Sequence, residues 1–250
     1  MHPDRSAAAV DALFAQALAA GENRARAREV LAGCGDESVL AAVLHRALPV
    51  AFLEAIAAVP PWSERPRVLA RVVLNPRAPR VLSQQLVAAL YWRDLAEVAA
   101  TPRIVAAVRA RAESLLRDGL ADMRLGDRVT LARLATPALL PQLLADGERQ
   151  VAEAALLNAR LREEDLTTAL RREDVRPALV EAVAASQRWR SSYAVQLALV
   201  LQPRTKLAFA LPRVLALVPR DLRRVAFDET LPPLVRAAAL EVLERDQGPS

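Results

Sequence analysis

The stretch VVLNPRAPRVL at residues 72–82 has two looser echoes, ALLNARLREEDL at 155–166 and ALVLQPRTKLAF at 198–209. Each joins two apolar runs through a short polar break. Within such runs apolar residues recur at three- and four-residue spacing, as in Leu13, Ala17 and Leu18 or Leu197, Val200 and Leu201, the period of a helix with one buried face. In the first copy Val72 to Leu74 close a helix, Asn75 is expected in the left-handed cap conformation, Pro76 prevents continuation and Pro79 opens the next helix. In the second, Asn158 takes the cap position, and Glu163, Glu164 and Asp165 load the following first turn, where the macrodipole favours acids. In the third, Gln202 replaces Asn, Pro203 stops the helix and Thr205 is the expected N-cap. The phrase is a stop-turn-start signal, and a chain that repeats it is built from short helices folded back on one another.

The key positions Asn75 and Asn158 lie 83 residues apart, and Asn158 and Gln202 lie 44 apart. Half the first interval places a degenerate copy near residue 116, in SLLRDG. A second phrase also recurs, as LAEVAATPRIV (95–105), LARLATPALL (131–140) and, more weakly, LRRVAFDETLPPLV (222–235). Periods of about 35 to 44 residues with two helices per unit are the signature of an α-solenoid. Strict alternation and hairpin dipeptides are missing, so no strand is expected. About 14 to 17 helices around one continuous core are expected, at about 6–20, 23–32, 37–47, 49–58, 64–74, 79–91, 94–100, 102–118, 127–135, 137–145, 148–157, 163–172, 176–186, 191–201, 205–217, 220–227 and 232–245. All seven glycines fall at expected helix ends or connectors. Several prolines sit where a first helical residue would be, Thr101-Pro102 and Thr136-Pro137 most clearly. The reading is all-α: one α-solenoid of stacked antiparallel helix pairs, with 1–63 as a divergent N-terminal cap, 64–245 as repeats and 246–250 as a tail.

Composition narrows function more than it defines it. Apolar residues make up 53% of the chain and aromatics 4%, which suits slim helices packed through Leu, Val and Ala. Of 34 basic residues all but Lys206 are arginine, the bias a GC-rich genome's codon preference produces. One cysteine, Cys34, excludes an internal disulfide and is expected to be a small packed residue in a reducing compartment. His2 and His45 are too few for a His-rich metal site, and no calcium-loop spacing occurs. No nucleophile elbow, phosphate loop or triad can be assembled, so no catalytic residue, metal or cofactor is expected. In the first 22 residues Asp4, Asp11 and Gln16 interrupt any leader-like apolar region. No run is long enough to span a bilayer. A cytoplasmic protein with no membrane insertion is expected.

LNPRAP, LQPRT and LATPALLPQLLADGERQVAEAALLN resemble the HEAT-like and leucine-rich-variant α-helical repeats of bacterial proteins, over residues 64–245. The resemblance implies a scaffold or adaptor whose surface binds a protein partner. It also leaves open a nucleic-acid binder, at the extreme one related to HEAT-like alkylpurine DNA glycosylases, which use Trp, Asp and Arg. Trp92, Arg93 and Asp94 offer those types, against the plainer reading of Tyr91 or Trp92 in an inter-repeat seam with Asp94 as a cap.

Two stretches carry only positive charge: Arg65, Arg67, Arg71, Arg77, Arg80 and Arg93 in 65–93, and Arg188, Arg190, Arg204, Lys206, Arg213 and Arg220 in 182–220. The second set is the expected binding surface, exposed on one face and without acidic neighbours; the alternative is an ordinary solvated face. Trp189 and Tyr193 are spaced to share a helical face there, either sealing a repeat junction or forming an exposed anchor. No small-molecule ligand is inferred.

Overall fold

The structure, a computed structural model, describes residues 3–246, with side chains from 7 to 245; the expectation for His2 lies outside the described residues, as does Gly248. Among the described residues the chain is all-helical, with seventeen α-helices and no strand. It forms two compact units that divide after Asp122. The first holds α1 (Pro3–Ala20), α2 (Arg24–Ala32), α3 (Glu37–Val43), α4 (Val50–Ala58), α5 (Pro66–Val73), α6 (Arg80–Leu86), α7 (Trp92–Ala100) and α8 (Ala106–Gly119). The second begins with α9 (Leu125–Leu134), α10 (Leu140–Leu144), α11 (Arg149–Leu156), α12 (Glu163–Leu170) and α13 (Pro177–Ala185). It ends with α14 (Tyr193–Val200), α15 (Leu207–Val214), α16 (Pro219–Ala226) and α17 (Pro233–Asp246). None of these helices is long and apolar enough to cross a membrane.

Helices pack on their sequence neighbours and on the next helix but one. In the first unit α1 packs on α3, α2 on α4, α3 on α5, α5 on α7 and α6 on α8. In the second α9 packs on α11, α10 on α12, α11 on α13, α12 on α14 and α15 on α17. Alanines permit the close approach: Ala17, Ala27, Ala112, Ala132, Ala152, Ala155 and Ala239 are fully buried. One apolar cluster of the first unit runs from Leu13 through Phe52, Ile56 and Trp62 to Val72, so the stretch expected as a cap shares its core with α5.

The repeated phrase does something other than the expected left-handed cap. Among the described residues positive φ occurs only at Gly21, which ends α1. Asn75 is instead buried, and its Nδ2 donates to the Leu44 and Arg46 carbonyls at 2.8 and 2.7 Å while its Oδ1 accepts from Arg77 N. Asn158 repeats the pattern toward Ala132 and Ala135, and Gln202 toward Leu170 and Arg172. Their amide oxygens accept from Arg160 N and Arg204 N. In each case the amide follows one helix (α5, α11 or α14) and satisfies C-terminal carbonyls of the helix two earlier (α3, α9 or α12). Those carbonyls have no intrahelical partner, so a buried donor there both satisfies them and fixes the spacing of the pair.

SLLRDG, the degenerate copy expected near residue 116, closes α8, with Leu116 buried and the helix ending at Gly119. One further expectation is corrected. Pro102 and Pro137 precede their helices instead of opening them. Thr101 and Thr136 accept from Ile104 N and Leu139 N to close a tight turn, and α8 and α10 start only at Ala106 and Leu140. The same carbonyl-to-third-residue turn closes at Asn75, Asn158, Gln202 and Asp228, so the two recurring phrases encode one turn. Prolines at the start of a helix include Pro66, Pro177, Pro219 and Pro233.

Candidate functional site

The arginines expected to form a one-faced surface are mostly occupied in holding helices. Arg188 follows α13 and takes the role of the amides: Nη1 donates to the Leu156 and Asn158 carbonyls at the end of α11, at 3.0 and 2.9 Å. Its guanidinium also lies 4.8 Å from the centre of the Trp189 ring. Arg204 Nη1 donates to the Val175 carbonyl at 2.6 Å. Lys206 has the acidic neighbour it was expected to lack: its Nζ is 2.7 Å from Glu181, whose carboxyl it holds below the usual range. Arg190 and Arg220 are exposed, and their guanidinium groups make no hydrogen bond or ion pair among the described residues. The arc at 65–93 is similarly divided, with Arg65 on Glu37, Arg71 on Glu97 and Arg77 near Glu22. Trp189 and Tyr193 do not share a helix: Trp189 is buried in the turn before α14, and Tyr193 is its first residue.

Arg213 is the most confined of the six. Nε donates to Gln196 Oε1, Nη1 to the Phe209 carbonyl and Nη2 to the Ala184 carbonyl. Gln196 is fixed in turn by its Nε2, which donates to the Trp189 carbonyl at 2.9 Å. Burial pushes the Arg213 guanidinium below its ordinary pKa, and repulsion from Arg190 adds to the shift. Here the alternate packing weakens, since α13 makes little contact with α15 and α14 little with α16. Side chains span both gaps. Arg213 reaches from α15 to the end of α13, and Tyr193 Oη donates to Asp221 at 2.5 Å while accepting from Val218 N. A cavity of about 570 Å³ opens between α13, α14 and α15. Its lining includes Arg190, Arg213, Tyr193, Phe209, Pro212 and Leu217. Pro212 lies inside α15 and removes one N–H from its ladder. Sequence reasoning reached Arg190 and Arg213 but not their convergence, 23 positions apart; the proline in FALPRV was the available signal that this helix is irregular.

A second concavity, about 640 Å³, lies in the first unit and is lined by Glu37, Ser38, Arg67, Arg71 and Asp94 among others. Asp94 is in the first turn of α7, and burial pushes its carboxyl up, with Arg71 opposing. Trp92 and Arg93 are not in this lining; they pair with each other, the guanidinium 5.1 Å from the ring centre. Tyr91 is exposed and fills no seam. Glu37 and Arg71 are engaged with Arg65 and Glu97. The lining therefore holds one carboxyl whose pKa burial raises, and its hydroxyl, that of Ser38, donates to Asp36. Burial likewise raises the Cys34 thiol, which disfavours the reactive thiolate. Among the described residues no group of three or more His, Cys, Asp or Glu side chains is placed to hold a metal ion. Compared with known proteins, the chain matches no family model, no curated protein and no solved structure.

Proposed function

We propose that the chain is an α-solenoid of HEAT-like repeats that binds a protein partner and catalyses no reaction. The repeat reading is supported by the packing of each helix on the next but one, and by the recurring clamps of Asn75, Asn158 and Gln202. The binding reading is carried by one observation: large apolar side chains stand in solvent at helix-end turns of the second unit. Phe227 is 76% exposed, Leu215 67% and Leu157 66%, with Leu134, Val218 and Leu234 also exposed. Apolar side chains concentrated at turns, with arginines beside them tied to carbonyls, favour a partner that contributes apolar surface over one that contributes phosphates.

The test is affinity purification from the native host with and without nuclease, followed by reconstitution with the purified partner. Recovery is expected to survive nuclease and about 0.5 M salt, where phosphate-dominated binding weakens steeply. It is expected to fail for Phe227→Ser combined with Leu215→Ser. Loss of the partner on nuclease treatment would transfer the reading to nucleic acid.

A further inference from the structure

We propose that the cavity between α13, α14 and α15 binds a small organic acid, a carboxylate on an apolar body, gripped by Arg190 and Arg213. The inference goes beyond the protein-binding reading and does not depend on it.

The argument begins from charge without a counter-charge. Arg190 and Arg213 both line the cavity, and no carboxylate pairs with either among the described residues. Arg213 is held by Gln196 and by the carbonyls of Phe209 and Ala184, which orient its guanidinium but leave its charge un-neutralised. Three of its five N–H groups are used in that way, so donors remain. Arg190 brings a second, unbonded guanidinium to the same lining. Two like charges thus line one partly enclosed space, an arrangement that an anion bound there relieves. The guanidinium fork matches a carboxylate in geometry as well as in sign.

The remainder of the lining selects the rest of the ligand. Ala184, Phe209, Pro212, Ala216 and Leu217 present apolar surface, and the Tyr193 hydroxyl is already engaged by Asp221 and Val218, leaving its ring as wall. The volume of about 570 Å³ lies within the range of small-molecule sites, about 300–1,000 Å³. A bare inorganic anion would leave the apolar wall wet, and a neutral apolar molecule would leave the guanidinium pair unmatched.

The test uses the full chain and decanoate as probe, with decanol and inorganic phosphate as controls, read by calorimetric titration and thermal melting. Decanoate is expected to bind saturably at one site and raise the melting temperature; decanol and phosphate are expected to do neither. Arg190→Gln removes a side chain that holds no other element. It should weaken decanoate binding about tenfold or more, the loss of a charge-assisted contact, without altering the ligand-free melt. Ala216→Trp, filling the cavity from its exposed side, should abolish binding while the helical spectrum is retained. Absence of saturable decanoate binding overturns the proposal, as does equal binding of decanol, or binding unchanged in both variants.

Discussion

Asn158 is a buried amide with all its polar atoms engaged, two carbonyls on one side and Arg160 N on the other. Asn158→Ala leaves those carbonyls without a donor and should cost about 1–3 kcal/mol in urea unfolding. Leu156, two residues earlier, is buried in the same helix end, and Leu156→Ala should cost about 2–5 kcal/mol through lost burial and a cavity. Asp94 works in the opposite direction. Burial raises its folded-state pKa above the unfolded value, so the folded chain keeps the proton to higher pH, and stability falls as pH rises through the carboxylate range. Asp94→Asn should therefore raise the melting temperature at pH 7. The gain should vanish below about pH 3.9, where the unfolded carboxyl is also protonated.

Clamping the end of a helix from the helix two later is a device of the elements, and it can be read where it is incomplete. Asp228 follows α16 as Gln202 follows α14, and it keeps the local half of the motif, accepting from Thr230 N and Oγ1. A carboxylate has no donor for carbonyls at the end of α14. Asp228→Asn retains the acceptor and adds the missing donor, so it should stabilise the chain by about 0.5–1.5 kcal/mol in chemical denaturation. A loss of stability instead would show that the carboxylate charge, in a concavity also lined by Arg204 and Arg224, outweighs the absent clamp. Arg188 shows that the clamp is not confined to amides: at the end of α11 a guanidinium supplies the donors, from one residue past the turn position, Gln187, that corresponds to Asn75, Asn158 and Gln202.

For the whole molecule the question is how much of the net charge of +5 is presented to a partner. Lys206 is paired with Glu181, and the carbonyl bonds of Arg188, Arg204 and Arg213 keep their charge but occupy part of their N–H groups, so the second arc presents fewer free donors than its composition suggests. Binding to duplex DNA, followed by fluorescence anisotropy, should accordingly be weak, with a shallow dependence of log K on log salt. Each phosphate neutralised contributes a slope of about 0.9, and a slope reflecting six or more contacts would restore the nucleic-acid reading.

Helix content and placement were legible because they follow from local rules. Apolar spacing, proline and acid-loaded first turns act within a few residues, and they mark seventeen helices whose positions correspond to those found. The recurring phrase announced a recurring turn for the same reason. Its purpose was not legible: whether Asn75 caps its own helix or reaches carbonyls some 30 positions away depends on what packs beside it, and only the folded chain brings Leu44 and Arg46 there. The same applies to charge. The sequence showed six cations without an acid among them in 182–220, but Glu181 and the carbonyls of α11 and α13 arrive through space. It was equally silent on the division after Asp122, which falls at no glycine- or proline-rich linker, and on the cavity at Arg190 and Arg213. Local propensity determines which residues become helix; tertiary packing decides which side chains are left without a partner, because hydrogen-bond satisfaction and desolvation depend on neighbours distant in the chain.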